Sequence, residues 1–529
     1  MTGHDTAMTT ALAPGPRSIS PTGVWPAIVA GMVGAAVALG LSELIAGLLS
    51  GGSSLVAAVG QAIIDFQPPG AKDLVVALFG TNDKLALELF VVTCGVVFGG
   101  VLGFVGRRSY RLAAAGFAAF GIVGFLAVSR QALGSPAFGA LTAAIAVAAG
   151  IQVMSWLLGV AGQPRPDGAT MPDWRRRSLL VRGSTLGVAA VAAGLSGRSL
   201  VTRAGSAPAG ADAEIPPASE VTAPLAGGTD LSGQVADLTP IIVPNERFYQ
   251  IDTALLTPVV DAATWRLRIH GMVDRETTLT WDELLGLPLF EQYVTIACVS
   301  NEVGGGLVGN AKWTGVRLRD VLDLAGVQPG ATQLVGRSVE GWTAGMPTAW
   351  VMDPAREPMI AVRMNDAPLP PRHGYPARLI IPGLYGYVSA TKWLAELELT
   401  TLDAFDAYWV PLGWAKEAPI LTQSRIDTPR GSVSVGAGRV PVAGVAWAPD
   451  RGISGVEVAI DGSWQPARLS APISDATWVQ WVLEWDATPG RHTIQVRATD
   501  GDGVVQDERS TPPAPDGARG WHTVEVSVG

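Results

Sequence analysis

The chain has 529 residues, of which 48% are hydrophobic and 16% charged, with a formal net charge of −9. That apolar content excludes a disordered chain. The acidic balance argues against a nucleic-acid binder, and with only two cysteines, Cys94 and Cys298, a disulfide scaffold is excluded.

The charge is uneven along the chain: residues 1–200 hold 13 Lys and Arg against 8 Asp and Glu, while the rest holds 24 against 38. After an expected cytoplasmic tail, 1–20, residues 21–163 carry four apolar runs, Val24–Leu49, Leu85–Gly106, Leu112–Ser129 and Phe138–Ala161. Each is near the length of about 20 residues that a helix needs to cross a bilayer, and their Gly and Ala allow close helix approach. Ser54–Phe66 is too short to span and reads as interfacial or re-entrant. A weaker fifth run, Ser178–Gly197, lies in the segment 174–197. Arginines cluster at Arg107, Arg108 and Arg111 and again at Arg165, Arg175, Arg176 and Arg177, whereas the loop after the first run has only Lys72 and Lys84. The positive-inside rule then puts the amino terminus in the cytoplasm. Five crossings place everything after about residue 200 outside, four keep it in the cytoplasm, and Ser178–Gly197 decides. Arg176-Arg177-Ser178-Leu179-Leu180 ahead of that run reads equally as a twin-arginine export signal or as a plain anchor. Glu43 lies within the first run, either a functional carboxylate or one reaching the interface. None of the five histidines, His4, His270, His373, His492 and His522, lies in a span, and there is no Cys-x-x-Cys-His, so no haem is expected in this chain.

Residues 198–238, rich in Ala, Pro, Gly, Ser and Thr, read as a linker. From 239 to 428 short strands and helices alternate in an α/β or α+β pattern. Trp265–Ile269 alternates as a half-buried strand, Thr280 and Glu283 form a capping box for a helix that Gly286 closes, Tyr293–Val299 and Arg378–Ile381 read as strands, and Leu318–Ala325 as an amphipathic helix. Residues 429–529 are all-β: Val456/Val458/Ile460, Ile494/Val496/Ala498 and Val524/Val526/Val528 alternate between turns such as Asp461-Gly462, the pattern of an immunoglobulin-like sandwich.

Two groups of residues carry chemistry. Cys298 ends a β-branched strand and opens the loop Ser300-Asn301-Glu302-Val303-Gly304-Gly305-Gly306, where a thiol can approach a ligand closely; it reads as a metal ligand, a nucleophile or a small buried hydrophobe. No protease-like base and no zinc ligand set accompanies it. The second group runs from His373 through Arg378 and Pro382-Gly383 to Ser389, Thr391, Lys392 and Trp393. With five lysines in the chain, Lys392 beside Arg378 suits a phosphate as well as it suits a charged surface turn.

Cys298 with Ala311-Lys312-Trp313-Thr314-Gly315-Val316-Arg317-Leu318, the His373…Arg378…Lys392-Trp393 run and the all-β tail together resemble the sulfite oxidase family of molybdenum-cofactor enzymes, over about 240–529. The resemblance implies molybdopterin with Cys298 as the protein thiolate on molybdenum and the catalytic residue, and His373, Arg378, Ser389, Thr391 and Lys392 around the pterin and its phosphate. Pro244–Tyr249 is similar to the pterin-lining segment of the bacterial methionine sulfoxide reductase branch, which adds Asn245, Arg247 and Tyr249, and Ser338 falls near a further pterin contact. The tail is similar to the family's dimerisation domain and implies a homodimer. The implied activity is oxygen-atom transfer on the outer face of the membrane, on a small oxyanion or sulfoxide, with an unidentified electron partner; Arg247, Arg337 or Arg372 would hold an anionic substrate. A sulfoxide-type reductase fed by the quinone pool and a non-catalytic tethered binding protein are the other two readings. The Cys298 loop departs from the sulfite oxidase version, which leaves the substrate open.

Overall fold

The computed structural model describes residues 23–49, 54–68, 78–79, 83–132, 134–162, 174–206 and 214–529 except 432. The tail 1–20, Lys72, Arg165 and residues 207–213 of the expected linker lie outside the described residues, as do the side chains of Arg175 and Arg176. The chain divides into two compact units, residues 1–66 with 74–201, and 67–73 with 202–529.

Among the described residues of the first unit, five helices are long and apolar enough to cross a membrane: Val24–Leu48, Asp83–Gly106, Tyr110–Arg130, Pro136–Val160 and Arg177–Arg203. The last is the least apolar, yet it seats closely against the first. A Cβ on Gly40 would stand 2.2 Å from the Ala190 carbonyl oxygen, and one on Gly197 would stand 2.2 Å from that of Glu43. Only glycine permits backbones to meet at that range. Glu43 is turned into the bundle, 9% exposed, and accepts a 2.6 Å hydrogen bond from Ser54 Oγ. Arg198 of the fifth helix is ion-paired with Glu88 of the second. The short helix Leu55–Asp65 starts at Ser54, whose Oγ accepts from Ala57 N at 2.9 Å, and packs Leu55 and Ala58 against Ala127, Val128 and Ala143.

In the second unit, 214–238 lacks regular strands or helices but is packed down: Ile215 is buried, Ser219 N donates to Leu289 O at 2.8 Å, and Leu231, Val235 and Leu238 cluster with Ala443 and Val482. Two five-stranded sheets follow. In the first, Arg266–Gly271 lies parallel to Leu394–Thr400, with Thr277–Thr280, Gln333–Ser338 and Thr343–Pro347 added antiparallel. In the second, Leu289–Ala297, Val308–Arg317 and Met359–Met364 run antiparallel, and Arg378–Ile380 pairs with Met359–Met364. The capping box forms as expected: Glu283 N donates to Thr280 Oγ1 at 3.2 Å and Thr280 N to Glu283 Oε2 at 2.7 Å. The strand expected at Tyr293 starts earlier, at Leu289, because Glu291, which breaks the apolar pattern, is ion-paired with Lys312 on the neighbouring strand.

The remaining strands form two sheets that share one core, including Val442, Val458, Trp481, Ile494 and Val526. Strand Gln423–Thr428 belongs to these sheets through Gly438–Trp447. Asp461-Gly462 makes a two-residue hairpin turn, with Ile460 paired to Ser463 and φ of 51° and 85°, as a type I′ turn requires. Trp447 and Trp478 reach back into the core of the preceding domain, where Trp478 N donates to Thr295 Oγ1 at 2.8 Å.

Candidate functional site

Cys298 follows directly on strand Leu289–Ala297. Its N–H donates to Leu307 O at 2.9 Å and Leu307 N donates to Asn301 Oδ1 at 2.7 Å, so the loop is pinned across its neck. The thiol is half-buried, with Sγ 2.9 Å from Ser300 Oγ. Arg425 secures the far side of the loop through Gly305 O at 2.9 Å.

The His373–Lys392 stretch is folded by its glycine. Gly374 has φ 111°, and a Cβ there would stand 2.9 Å from Lys392 Cα, so this position must be glycine for the two ends of the stretch to meet. Trp393, with φ 50°, turns the chain back and anchors its ring N–H on Pro371 O at 2.8 Å. Arg378 thereby enters the interior on a short strand, 5% exposed, with its guanidinium 5.4 Å from the Trp313 ring. Phe248 packs edge-on against both Trp313 and His373 and fixes the adjacent Tyr249.

These elements line one cavity, with Tyr249, Cys298, Ser300, Arg378, Gly386 and Lys392 among its walls. Four of the residues singled out from the sequence, Cys298, Tyr249, Arg378 and Lys392, thus share one cavity although they lie up to 143 positions apart. Lys392 Nζ is 2.8 Å from Asp252 Oδ2. His373 is fully buried behind the wall; its Nε2 lies 2.9 Å from Asn245 O, and because a carbonyl only accepts, that nitrogen carries the proton. Nδ1 is left as a bare acceptor without a partner among the described residues. Arg378 Nε, Thr391 Oγ1 and Glu340 Oε2 are likewise buried without partners.

Burial sets the charges. It pushes His373 down to about 3, with Lys392 and Arg378 reinforcing the shift, so the ring is neutral at physiological pH. It lowers Arg378 to about 10 and raises Glu340 to about 7, with Asp252 adding to and Lys392 opposing that rise. The hydroxyls of Tyr249 and Tyr387 are driven well above the ordinary tyrosine range by burial.

Other expected site residues are engaged elsewhere. Ser389 Oγ donates to Leu384 O and Tyr385 O, at 3.0 and 3.1 Å. Ser338 Oγ closes a turn by accepting from Trp342 N at 3.0 Å. The Asn245 side chain bonds Met364 O and Asn365. Arg247 and Arg372 are exposed, and Arg337 is ion-paired with Glu398 and stacked on Phe405; none of these three arginines lines the cavity. Asp252, Glu340, Trp342, Trp409 and Trp414 do line it and were not singled out from the sequence, because each joins the wall only through the tertiary fold.

Residues 254–409 match the family model of the oxidoreductase molybdopterin binding domain. The chain is 30% identical to mitochondrial sulfite oxidase of Homo sapiens over 344 residues, covering 54% of this chain and 62% of that one. It is 33% identical to the NADH nitrate reductase 1 of Oryza sativa subsp. japonica over 177 residues, covering 28% and 19%. The chain therefore spans less than two thirds of the length of these relatives. Among solved structures, the sulfane dehydrogenase SoxCD from Paracoccus pantotrophus aligns with a TM-score of 0.49 and 24% identity, over 54% of this chain and 81% of that one.

Proposed function

We propose, from the membership of this chain in the sulfite oxidase family of molybdopterin-dependent oxidoreductases, that it is a membrane-anchored enzyme that transfers an oxygen atom at the Cys298 cavity. The observation that carries this reading is the set of buried, unpartnered polar atoms in and behind the cavity wall, His373 Nδ1, Arg378 Nε, Thr391 Oγ1 and Glu340 Oε2. A fold leaves such groups unpaired at a cost of about 1–3 kcal/mol each, so a polar group that belongs among them accounts for their presence. The residues present fit a pterin carrying a phosphate: His373, Thr391 and Tyr249 would hold its polar atoms, Arg378 and Lys392 would hold its phosphate, and Cys298 would be a soft ligand suited to molybdenum. Asn245, Ser338 and Ser389 hold that wall in place, through the Asn245 carbonyl and the two hydroxyls, and Arg247 stands at the surface beside Tyr249.

When bound, the cofactor supplies the two-electron change that accompanies oxygen transfer. The protein's share is orientation and charge. Neutral His373 keeps an acceptor fixed by its Nε2 bond to Asn245, the aromatic wall excludes water, and Glu340 is an acid able to exchange a proton near neutral pH.

The anchor is the five-helix unit. Its fifth helix, bound to the first by the Gly40 and Gly197 contacts and to the second by Arg198–Glu88, favours five crossings, and the positive-inside arginines then put the amino terminus in the cytoplasm and everything after about residue 200 outside. Arg176-Arg177 then serve as the export signal for a domain folded around its cofactor. Residues 239–428 are the cofactor domain, and 429–529, joined by the preceding strand Gln423–Thr428, an immunoglobulin-like domain of the type that dimerises in the family.

Elemental analysis of purified full-length protein tests the reading: molybdenum near one atom per chain is expected, and its absence from well-folded protein refutes it. Cys298→Ser should retain the pterin but abolish turnover. Protease added to intact cells should reach the second unit.

A further inference from the structure

We propose that His522, assisted by Arg425, is a positioning residue for Cys298: from the C-terminal sheets it holds the turn at Gly304 and Gly305, and so sets where the thiolate meets the metal. This rests on Cys298 being the protein ligand of that metal. It goes further by making the C-terminal sheets a working part of the site.

His522 opens the last strand, His522–Val528, and its ring is engaged on two edges. On one, Nδ1 accepts a hydrogen bond from Ile426 N at 3.0 Å. A backbone N–H needs a lone pair to bond, so the ring proton is on Nε2. Burial and the nearby Arg425 hold the ring below its ordinary pKa, with Asp427 opposing, and this keeps that lone pair available. The other edge lies against the Cys298 loop: a Cβ on Gly304 would stand 2.3 Å from His522 Cδ2 and 2.4 Å from Nε2. Gly304 has φ 77°, so both its conformation and its neighbour call for glycine. Arg425 grips the next residue. Its Nη1 donates to Gly305 O at 2.9 Å, while Nε and Nη2 are held by Asp427 Oδ1 at 2.7 Å and Thr239 Oγ1 at 2.9 Å. A planar guanidinium fixed on three sides is a rigid support.

Two short links carry this grip to the sulfur. A Cβ on Gly305 would stand 2.7 Å from Asn301 Oδ1, so the Asn301 amide lies directly on the held turn. Asn301 Oδ1 accepts from Leu307 N at 2.7 Å, Asn301 N donates to Cys298 O at 3.1 Å, and Cys298 N donates to Leu307 O at 2.9 Å. Cys298 thus belongs to a closed set of hydrogen bonds whose outer rim rests on His522 and Arg425. Left to themselves, Gly304, Gly305 and Gly306 would give the loop wide backbone freedom, and a metal ligand has to be held in one place. Neither His522 nor Arg425 is among the residues lining the cavity, so they act through the ligand and not on the substrate. Outer support of this kind, when removed, typically costs about 10–100-fold in metal affinity or activity.

The test uses full-length protein in detergent carrying Cys94→Ser, so that Cys298 is the single thiol. Cofactor-free protein is treated with iodoacetamide and the alkylation rate of Cys298 is followed by mass spectrometry. Loaded protein, its molybdenum measured, gives the paramagnetic resonance spectrum of the partly reduced centre. His522→Ala and His522→Asn should each raise the alkylation rate about tenfold and shift that spectrum. The asparagine keeps an acceptor for Ile426 N but lacks the ring edge against Gly304, so it separates bracing from folding. Gly304→Ala should act in the same direction, and adding His522→Ala to it should cost little more, because the methyl group then occupies the space of the ring. Val526→Ala opens a hole at a buried position of the same strand; it should lower the urea midpoint and leave thiol and spectrum as they were. The proposal is overturned if His522→Asn leaves both readouts at their wild-type values, or if Val526→Ala shifts them as far. Failure of the wider reading shows separately, as protein without molybdenum in which the alkylation result still stands.

Discussion

The neutral, buried His373 makes a quantitative prediction. Its ring is fully buried, its Nε2 proton is committed to Asn245 O at 2.9 Å, and its Nδ1 has no acceptor nearby to receive a second proton. Burial and the cations Lys392 and Arg378 hold its pKa at about 3, against 6.5 when unperturbed. As pH falls below 6.5 the unfolded chain takes up a proton that the folded chain refuses. The stability contributed by this residue is therefore whole above 6.5 and is lost as pH falls toward about 3. Between about pH 8 and pH 5 the loss is about 2 kcal/mol. His373→Gln removes the titration while its amide N–H can still reach Asn245 O. Urea unfolding of cofactor-free, full-length protein, followed by tryptophan fluorescence in detergent at the two pH values, isolates the effect, because every other acid-sensitive group is common to both proteins. The variant should lose about 2 kcal/mol less than the wild type on acidification, at unchanged slope in urea. Equal losses in the two proteins would refute the buried, neutral histidine.

Glu340 predicts the opposite trend. Its folded pKa of about 7 lies above the ordinary 4.5, so its contribution is whole below 4.5 and lost as pH rises through about 7. Glu340→Gln should then match the wild type near pH 4 and exceed it at pH 8 by roughly 3 kcal/mol; equal stability at both values would count against a buried carboxyl. Gly315→Ala should destabilise the cofactor domain by about 3 kcal/mol or more, because the added Cβ would stand 2.2 Å from Ile360 O between two paired strands; a shift within error in the urea midpoint would contradict that register. Gly197→Leu should loosen the fifth helix and lower the melting temperature of the membrane unit while leaving the urea transition of the second unit in place, and unchanged melting would argue against the close approach to Glu43.

What the sequence made legible was local. The Thr280–Glu283 box, the Asp461-Gly462 turn and the alternating strands declare themselves over a few residues, and the apolar runs are long enough to need no context. The run from His373 to Lys392 was legible because lysine is scarce in the chain and Lys392 stands near Arg378, while the role of Gly374 emerged only from the fold. The rest depends on distance along the chain. Lys392 finds Asp252 140 positions away, and Trp342 meets the turn that carries Trp409 and Trp414 from a separate connection with no shared period. Ser389 was legible as a hydroxyl at the right place, but not that a single helical turn directs its proton to the Leu384 and Tyr385 carbonyls. The segment 214–238 looks like a linker in composition, and it is irregular; its few apolar residues nevertheless find places in the core.

The energetics of the cavity bear on why these residues are where they are. A guanidinium almost wholly withdrawn from water, an imidazole denied its second proton and a carboxyl raised to neutrality all lower the stability of the domain. They are held there by features that lie outside the cavity charges: the positive φ of Gly374, the Trp393 anchor on Pro371, the Phe248 wedge against Trp313 and His373, and the Arg425 clamp on the Cys298 loop. A surface ion-pair network would need none of these supports. Strain and unmet polarity concentrated at one place, and braced by the surrounding core, mark a preformed binding site, and a group that arrives with matching donors and negative charge recovers the stability that the empty arrangement gives up.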